Sequence, residues 1–224
     1  MTADTPPGSS PAVGFVLVAG PFTGPFAWSK VASELRARGR RVAVRDADIG
    51  IDSPVVLVAH SGGGPRLPAL AAATPGVIGM VLVDALLPHP GRSWSETVPE
   101  AFVAKLKSEA VRGKLPPWPQ WWGDSGMRAL LPDDALREEF VRACPAVEVD
   151  VIDEVMPEAP DPPAVFVQLS ETYAPETEAA RAHGWPVLVL DAHHLAPLTD
   201  PEAVADAIER AAALLTDPTQ SDPA

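Results

Sequence analysis

Six short runs of aliphatic residues recur along the chain, and helical patterns separate most of them. Runs that are apolar at every position are typical of strands buried on both faces of a parallel sheet. They predict strands at residues 13–20, 40–46, 54–60, 77–84, 163–170 and 186–191. Helices are predicted at 28–39, which ends at Gly39, and at 201–215, which has Pro201 in its first turn. The pattern predicts an α/β fold, a three-layer α/β/α sandwich with a mostly parallel sheet of about six strands.

Residues 86–162 interrupt this alternation and are rich in proline, tryptophan and charged residues. Helical patterns lie near 99–112, 125–131 and 133–143, but the segment is too short and too broken by proline to bury a large core of its own. We therefore interpret it as a small helical cap inserted into one domain that spans residues 13–215. Polar composition predicts a disordered leader at 1–12 and a disordered tail at 216–224.

The link between Asp46 and Pro54 is unusually short for a connection between parallel strands. Such crossovers usually take a dozen or more residues. We therefore expect strand 40–46 to be short or displaced, or the link 47–53 to be extended.

Charge and composition exclude several classes of partner. The formal net charge is −13, and an acidic surface repels nucleic acid and anionic lipid, so neither is expected to bind. No apolar run reaches the ~18 residues of a membrane span, and the first residues lack the pattern of a signal peptide, which predicts a cytoplasmic protein. Cys144 is the single cysteine, so an intrachain disulfide is excluded, and we expect it to be a small buried hydrophobic residue.

The segment "VVLVAHSGGGPRLPAL", residues 55–70, has the strongest chemical signature. A buried strand ends at Ser61, three glycines follow, and a helical pattern begins. Ala59 and Gly63 are the small neighbours that a strained strand-to-helix turn needs, and the turn would present the Ser61 hydroxyl and the Gly62 amide to the same space. A phosphate-binding turn is the alternative, but the segment lacks the lysine of a P-loop and the spacing of G-x-G-x-x-G. We therefore interpret Ser61 as a nucleophile.

A serine nucleophile needs a base that is held by an acid. His60 precedes the serine, where we expect its side chain to point away, and His89 and His183 lie in other contexts. His193 and His194 follow the last predicted strand. A loop at that place is where a base arrives in the chain order serine, acid, histidine.

With these residues in order, the chain resembles the α/β-hydrolase superfamily over nearly its full length, and in particular its small esterase and hydroxynitrile-lyase-like branch with pared-down N-terminal strands. The segments "LVAGPFTGPFAW", "VAHSGGG" and "HHLAPLTDP" carry the resemblance. It implies that the base is His194, which lies seven residues before Pro201. It also places the acid near Thr172, which cannot serve. Glu171, which is adjacent, and Asp84, at the end of the fourth strand, both remain candidates, and Glu171 is slightly preferred.

The resemblance also identifies a departure in the oxyanion hole. Relatives carry His-Gly-x after the first strand, and the amide of x is the second donor. The matching residues are Ala19, Gly20 and Pro21, and proline has no N–H group. We therefore expect the Phe22 amide to replace it, or the donor to be missing, which typically costs ~3 kcal/mol in the transition state.

Aromatic residues are concentrated in the segment after the first strand and in the cap. They predict an apolar, roomy site above Ser61 for a small hydrophobic acyl substrate, with Trp28 and Trp122 among its binding residues; the set is Phe22, Phe26, Trp28, Trp94, Trp118, Trp121 and Trp122. The acidic clusters lack the spacing of a calcium loop, so no metal and no cofactor are implied. The main hypothesis is a serine hydrolase acting on an ester or thioester. One alternative is a non-hydrolytic lyase, cyclase or isomerase. The other is a ligand-binding relative without catalytic activity.

Overall fold

The computed structural model describes residues 13–45 and 54–216. The predicted leader, the link 47–53 and all of the predicted tail except its first residue lie outside these ranges. The described strands are β1 Gly14–Val18, β2 Val42–Arg45, β3 Val55–Ser61, β4 Val77–Ala85, β5 Ala164–Gln168 and β6 Val187–Val189. The helices are α1 Ser29–Ala37, α2 Leu67–Ala73, α3 Glu100–Ser108, α4 Trp118–Leu130, α5 Asp134–Ala143, α6 Ala174–Ala182, α7 Ala196–Thr199 and α8 Pro201–Thr216.

The six strands form one sheet in the order β2-β1-β3-β4-β5-β6, and every neighbouring pair is parallel. The predicted fold class is thereby confirmed. Strand β2 has four residues and lies at the edge, so the short link that follows it is accompanied by a short strand.

Alternate residues of the central strands face two separate hydrophobic clusters, as the two-residue period of a strand requires. Phe15 and Leu17 contribute to the cluster that includes residues of α1 and α8. Val16 and Val18 contribute to the other cluster, with residues of α2 and α6. Because both faces are covered, the central strands are apolar at most positions, and their polar residues His60, Ser61, Asp84 and Gln168 lie towards their carboxyl ends.

Helices α3, α4 and α5 lie between β4 and β5 in the chain and form a third cluster. Leu106, Trp118 and Phe140 are buried there against Phe22 and Leu198 of the α/β layers. Two or three helices were predicted in this segment. Helix α4 begins seven residues before the predicted start at residue 125, because the last five residues of "PPWPQWW" belong to it. Gly123 has φ 67° and bends α4. Among the described helices, none has the length and apolarity needed to cross a bilayer.

The strand order reverses between β1 and β3, since β1 leads outward to β2 while β3 leads on to β4. In open α/β sheets, ligands bind at the carboxyl ends of the strands at such a point. Two segments meet there: residues 19–24 after β1 and residues 62–64 after β3.

Candidate active site

Ser61 is the last residue of β3 and has a left-handed backbone, with φ 56°. This conformation is strained for a residue other than glycine, and it persists only where the surrounding structure enforces it. The glycines that follow allow the close packing that does so. A Cβ atom on Gly64 would lie 2.0 Å from the Leu86 carbonyl oxygen, and one on Gly63 would lie 3.1 Å from the Val18 oxygen. The hydroxyl is therefore held at a sharp bend, as the sequence predicts, and Ser61 is 8 % exposed.

Asp84 lies on the neighbouring strand at an irregularity in the pairing. His60 pairs with Val83 while Ser61 pairs with Ala85, so Asp84 is an extra residue, and its φ is 43°. A β-bulge of this kind redirects a side chain. The bulge explains how a residue near the end of a buried strand carries a functional carboxylate beside the turn at Ser61.

The Asp84 carboxylate is fully buried and accepts four hydrogen bonds. Oδ1 accepts from the amides of Leu169 and Ser170 at 2.8 and 3.0 Å. Oδ2 accepts from the Ser170 hydroxyl at 2.6 Å and from His194 Nδ1 at 2.9 Å. Burial by itself raises the pKa of Asp84, but the hydrogen bonds and the imidazole of His194 outweigh it, and the pKa lies below its usual value. Asp84 is therefore ionised at neutral pH.

His194 lies in the segment between β6 and α7, and its side chain is 12 % exposed. Since a carboxylate can only accept, Nδ1 carries the proton in this pair and Nε2 keeps its lone pair. The neighbouring His193 has a different role. Its Nδ1 accepts from the Leu195 amide at 3.2 Å, and its Nε2 bonds the Thr199 hydroxyl at 3.0 Å, so it fixes the start of α7.

Glu171, the acid that the sequence analysis preferred, is not paired with His194. It lies in a short 3-10 helix, Glu171–Tyr173, and is exposed. The carboxylate that bonds His194 is Asp84, the second candidate. The preference for Glu171 followed the position of the acid in relatives, and the bulge in β4 carries no signal in the sequence that would have corrected it.

His60 does not point away from the site, which corrects the sequence expectation. Its ring centre lies 4.4 Å from that of His194, and its Nε2 lies 2.8 Å from the His194 carbonyl oxygen. Because a carbonyl only accepts, Nε2 of His60 donates this bond. Burial, together with the neighbouring imidazole of His194, lowers the pKa of His60 to about 3. His60 is thus a neutral side chain that fixes the main chain at His194.

Tyr173 is a site residue that the sequence analysis did not identify. Its ring is stacked on His194, with centres 5.1 Å apart and planes within 5°, and its hydroxyl lies beside that of Ser61. Burial raises the pKa of Tyr173 above its ordinary value, so the hydroxyl stays protonated. Tyr173 is the only tyrosine, and it follows the predicted acid position Thr172. This position next to the predicted acid was the one sequence signal that could have identified Tyr173 as a site residue.

Residues 8–207 match the family model described as the alpha/beta hydrolase family. The chain belongs to the alpha/beta hydrolase family. No curated protein sequence matches it. Solved structures with the same fold match the chain. An extracellular alpha/beta-hydrolase from a Paenibacillus species is 19 % identical, with a TM-score of 0.67, and the match covers 90 % of this chain and 99 % of that one.

Two further structures extend the comparison. Polyneuridine aldehyde esterase is 18 % identical, with a TM-score of 0.68 and coverage of 89 % of this chain and 98 % of its own. A variant of tomato methylketone synthase I, in complex with beta-ketoheptanoate, is 15 % identical, with a TM-score of 0.65 and coverage of 91 % and 99 %. At these identities the likeness concerns the fold.

The residues that the sequence analysis predicts for the oxyanion hole, Gly62, Pro21 and Phe22, lie together. A Cβ atom on Gly62 would lie 3.3 Å from Pro21 Cδ and 3.7 Å from the Phe22 ring, so the two segments are in contact. Pro21 lies where relatives have an N–H donor, and it has none. The amides at this place are those of Gly62 and Phe22.

At Gly62, Pro21 and Phe22 the structure shows a small cavity, where the sequence analysis expected a roomy site above Ser61. The cavity beside Gly62, Pro21 and Phe22 measures about 20 Å³, which is room for about one water molecule. The aromatic side chains fill the space because they pack on one another: the Phe22 ring centre lies 5.3 Å from that of Trp94 and 5.0 Å from that of Trp121.

The two tryptophans predicted to bind substrate lie elsewhere. Trp28 is fully buried in the core, where its indole N–H donates to the Val18 carbonyl at 3.0 Å, because the helical spacing that identified it is the spacing of a core face. Trp122 is 48 % exposed and stacks on Phe102 at the cap surface. Trp118 of the cap does approach the site, with its ring centre 5.9 Å from that of His194.

The buried His60 predicts a pH dependence of stability. The folded state keeps His60 neutral down to about pH 3, whereas the unfolded chain takes up a proton near the ordinary pKa of 6.5. The stabilisation is therefore complete above pH 6.5 and is lost as the pH falls towards 3. Within that window we expect the free energy of unfolding to decrease by about 1.4 kcal/mol per pH unit for this group. Urea unfolding at several pH values measures it.

The matched variants are His60→Gln and His183→Gln. Glutamine can still donate to the His194 carbonyl but does not titrate. His60→Gln should therefore reduce the slope of the free energy of unfolding against pH by about 1.4 kcal/mol per pH unit, which corresponds to one proton. A slope in the same direction should remain in His60→Gln, because burial also lowers the pKa of His193. His183 is exposed, so its variant should retain the full slope. Equal slopes in His60→Gln and the parent would contradict the prediction.

Proposed function

We propose that this protein is a serine hydrolase that cleaves an ester or thioester of a small hydrophobic substrate through an acyl-serine intermediate. The observation that carries the proposal is the buried Asp84–His194 hydrogen bond at 2.9 Å. Tyr173 links this pair to Ser61, because its ring stacks on His194 and its hydroxyl lies beside that of Ser61. Nucleophile, base and acid are then Ser61, His194 and Asp84, in the chain order Ser…Asp…His that the family uses.

In the first half-reaction, His194 Nε2 takes the proton from the Ser61 hydroxyl as Oγ forms a bond to the substrate carbonyl carbon. The carbonyl oxygen becomes an oxyanion and accepts from the Gly62 amide, with the Phe22 amide as the second candidate donor. The C–O or C–S bond then breaks, and the leaving group receives the proton from His194. Asp84 stays ionised and stabilises the imidazolium.

In the second half-reaction, His194 takes a proton from water as the water oxygen forms a bond to the acyl carbon. The bond between that carbon and Ser61 Oγ then breaks, Oγ takes the proton back from His194, and the acid leaves. Tyr173 supports this geometry in two ways. Its ring fixes the plane of the His194 imidazole, and its hydroxyl lies beside that of Ser61. We therefore assign Tyr173 as a residue that positions both groups.

Covalent labelling tests the proposal directly. The protein is treated with a fluorophosphonate or with p-nitrophenyl acetate, and the modified peptide is identified by mass spectrometry. We expect one adduct, on the peptide that contains Ser61, and release of p-nitrophenol in a burst if deacylation is slow. An unlabelled Ser61 in a protein that still turns over the ester would overturn the assignment.

A second candidate is a non-hydrolytic reaction, such as a lyase or isomerase step, with His194 as acid and base. Pro21 favours it, because a site with one oxyanion donor is poorly suited to acyl transfer. The structural likeness to a methylketone synthase variant that holds beta-ketoheptanoate is compatible with such chemistry. It predicts weak fluorophosphonate labelling and little ester turnover.

The variant Pro21→Ala separates the two candidates. If the site performs acyl transfer with one donor missing, the new N–H should raise kcat for p-nitrophenyl esters by about 10- to 100-fold. Pro25→Ala is the matched control, since Pro25 lies in the same segment and is exposed. It should leave kcat unchanged.

An unchanged kcat in Pro21→Ala, with ester turnover intact, would contradict this prediction and identify the Phe22 amide as the second donor. Thermal unfolding of both proline variants controls for stability. Each should lose no more than about 1 kcal/mol, because a proline acts mainly by restricting the unfolded chain.

A further inference from the structure

His89 has a hydrogen-bonding pattern that the proposed chemistry does not use. Its Nδ1 lies 3.1 Å from the Arg92 carbonyl oxygen, and a carbonyl can only accept, so in the neutral ring Nδ1 carries the proton and Nε2 has a free lone pair. Nε2 is buried and has no partner among the described residues. A buried acceptor without a donor costs about 1–3 kcal/mol, so its presence calls for an explanation.

A tight turn holds this imidazole in place. The Arg92 amide donates to the His89 carbonyl at 3.2 Å, and Pro90 and Gly91 lie between them, with Gly91 at φ 72°. Proline followed by glycine with a positive φ is the pattern of a type II turn. The Gly91 amide also donates to the Met156 carbonyl at 2.9 Å, which ties the turn to the opposite wall of the site.

His89 lines the same cavity of about 20 Å³ as Gly62, the residue after the candidate nucleophile. Arg66 and Glu154 line it too, and they are paired with each other at 3.2 Å. His89 also borders a wider cavity of about 250 Å³, whose lining includes Leu86, Leu87 and Glu176. The small cavity admits one polar group, and the wider one admits a hydrocarbon part.

We propose that His89 Nε2 accepts a hydrogen bond from a hydroxyl group of the substrate, and that the site therefore selects hydroxylated esters or thioesters. The choice of a hydroxyl follows from the lining. His89 Nε2 requires a donor, and Arg66 can only donate, so a group that both donates and accepts fits between them. This inference rests on the proposed hydrolase function and names its substrate class.

The test compares matched substrate pairs. p-Nitrophenyl 3-hydroxybutanoate and 2-hydroxybutanoate are compared with the butanoate, and 2-hydroxyethyl butanoate with propyl butanoate. We expect at least one hydroxylated ester to exceed its partner in kcat/KM by about tenfold, because the partner leaves Nε2 unpaired. In His89→Leu this preference should fall to about one. His89→Gln, whose amide oxygen can accept, should keep part of it.

His183→Leu is the control, because His183 precedes β6 at the amino end of the sheet and is exposed. It should keep the full preference. A parent enzyme that hydrolyses the butanoates without preferring any hydroxylated partner would overturn the inference and leave the hydrolase function intact. So would a preference that survives in His89→Leu, since a merely structural role of His89 cannot change the ratio between partners.

A second readout separates failure of the inference from failure of the proposed function. In protein with ¹⁵N-labelled histidine, 3-hydroxybutanamide should shift the Nε2 resonance of His89, while butanamide should not. The shift should be absent in His89→Leu. If no ester is hydrolysed and this shift is still seen, the hydrolase function fails and the hydroxyl site stands. If 3-hydroxybutanamide shifts nothing at saturating concentration, the hydroxyl site fails.

Discussion

Ser61→Ala should lower kcat for short p-nitrophenyl esters by about 10⁵-fold or more. The reason is chemical, since alanine removes the atom that forms the acyl bond and changes nothing else of comparable size. The backbone of the turn should persist, because serine and alanine both carry a Cβ and pay the same cost at φ 56°. Residual turnover, from His194 and the Gly62 amide, should remain above the rate in water.

The control for Ser61→Ala is Ser33→Ala, in which an exposed hydroxyl on α1 bonds only the Ser29 carbonyl within its own helix. That variant should retain full activity. Circular dichroism and thermal unfolding of both proteins establish that each is folded. A folded Ser61→Ala protein with more than about a tenth of the parent rate would exclude the serine as nucleophile.

The turn at Ser61 was predictable because steric rules act within a few residues. Ala59 and Gly63 are the small neighbours that such a turn needs. The fold adds a reason that is not local, because the carbonyl oxygens of Val18 and Leu86 leave no room for a Cβ atom at Gly63 and Gly64. The strands were predictable because burial on both faces of a parallel sheet favours apolar residues along most of each strand.

The acid was not predictable from the chain because its position depends on strand pairing. Asp84 faces His194 only through the extra residue in β4, and an unpaired strand sequence contains no information about that bulge. The segment after β5 instead supplies the amides of Leu169 and Ser170 to the Asp84 carboxylate, and Tyr173 to the imidazole. A pattern that in relatives identifies the acid here identifies its hydrogen-bond donors.

The interior of the site was mispredicted because aromatic residues serve both cores and ligand sites, and the sequence does not distinguish them. Trp28 has a helical spacing that fits either role, and its burial against β1 shows which one applies. Phe22, Trp94 and Trp121, which the sequence analysis assigned to a substrate site, pack on one another. His89 carried no signal, because only the fold brings its ring to the cavity beside Gly62.

Asp84→Asn should lower kcat by about 10⁴-fold without unfolding the protein. Asparagine can keep one oxygen towards the amides of Leu169 and Ser170, and its NH₂ group then faces His194 Nδ1. That contact requires Nδ1 to accept, so the proton moves to Nε2, and His194 can no longer take the proton of Ser61. The Ser170 hydroxyl can rotate to accept from the same NH₂ group, so no buried polar atom is orphaned.

Glu171→Gln is the matched variant, because it makes the same change of carboxylate to amide at the other candidate acid, which is exposed. Its kcat should stay within about twofold of the parent, since it removes no hydrogen bond to the imidazole. The low-field proton resonance of His194 Nδ1–H should be lost in Asp84→Asn and kept in Glu171→Gln. If the losses fell the other way round, with Glu171→Gln inactive and Asp84→Asn active, the acid would have to reach His194 from the segment after β5. The bulge in β4 would then only bury the Asp84 carboxylate. The four hydrogen bonds to Asp84 would offset the desolvation free energy of that burial and would have no role in catalysis.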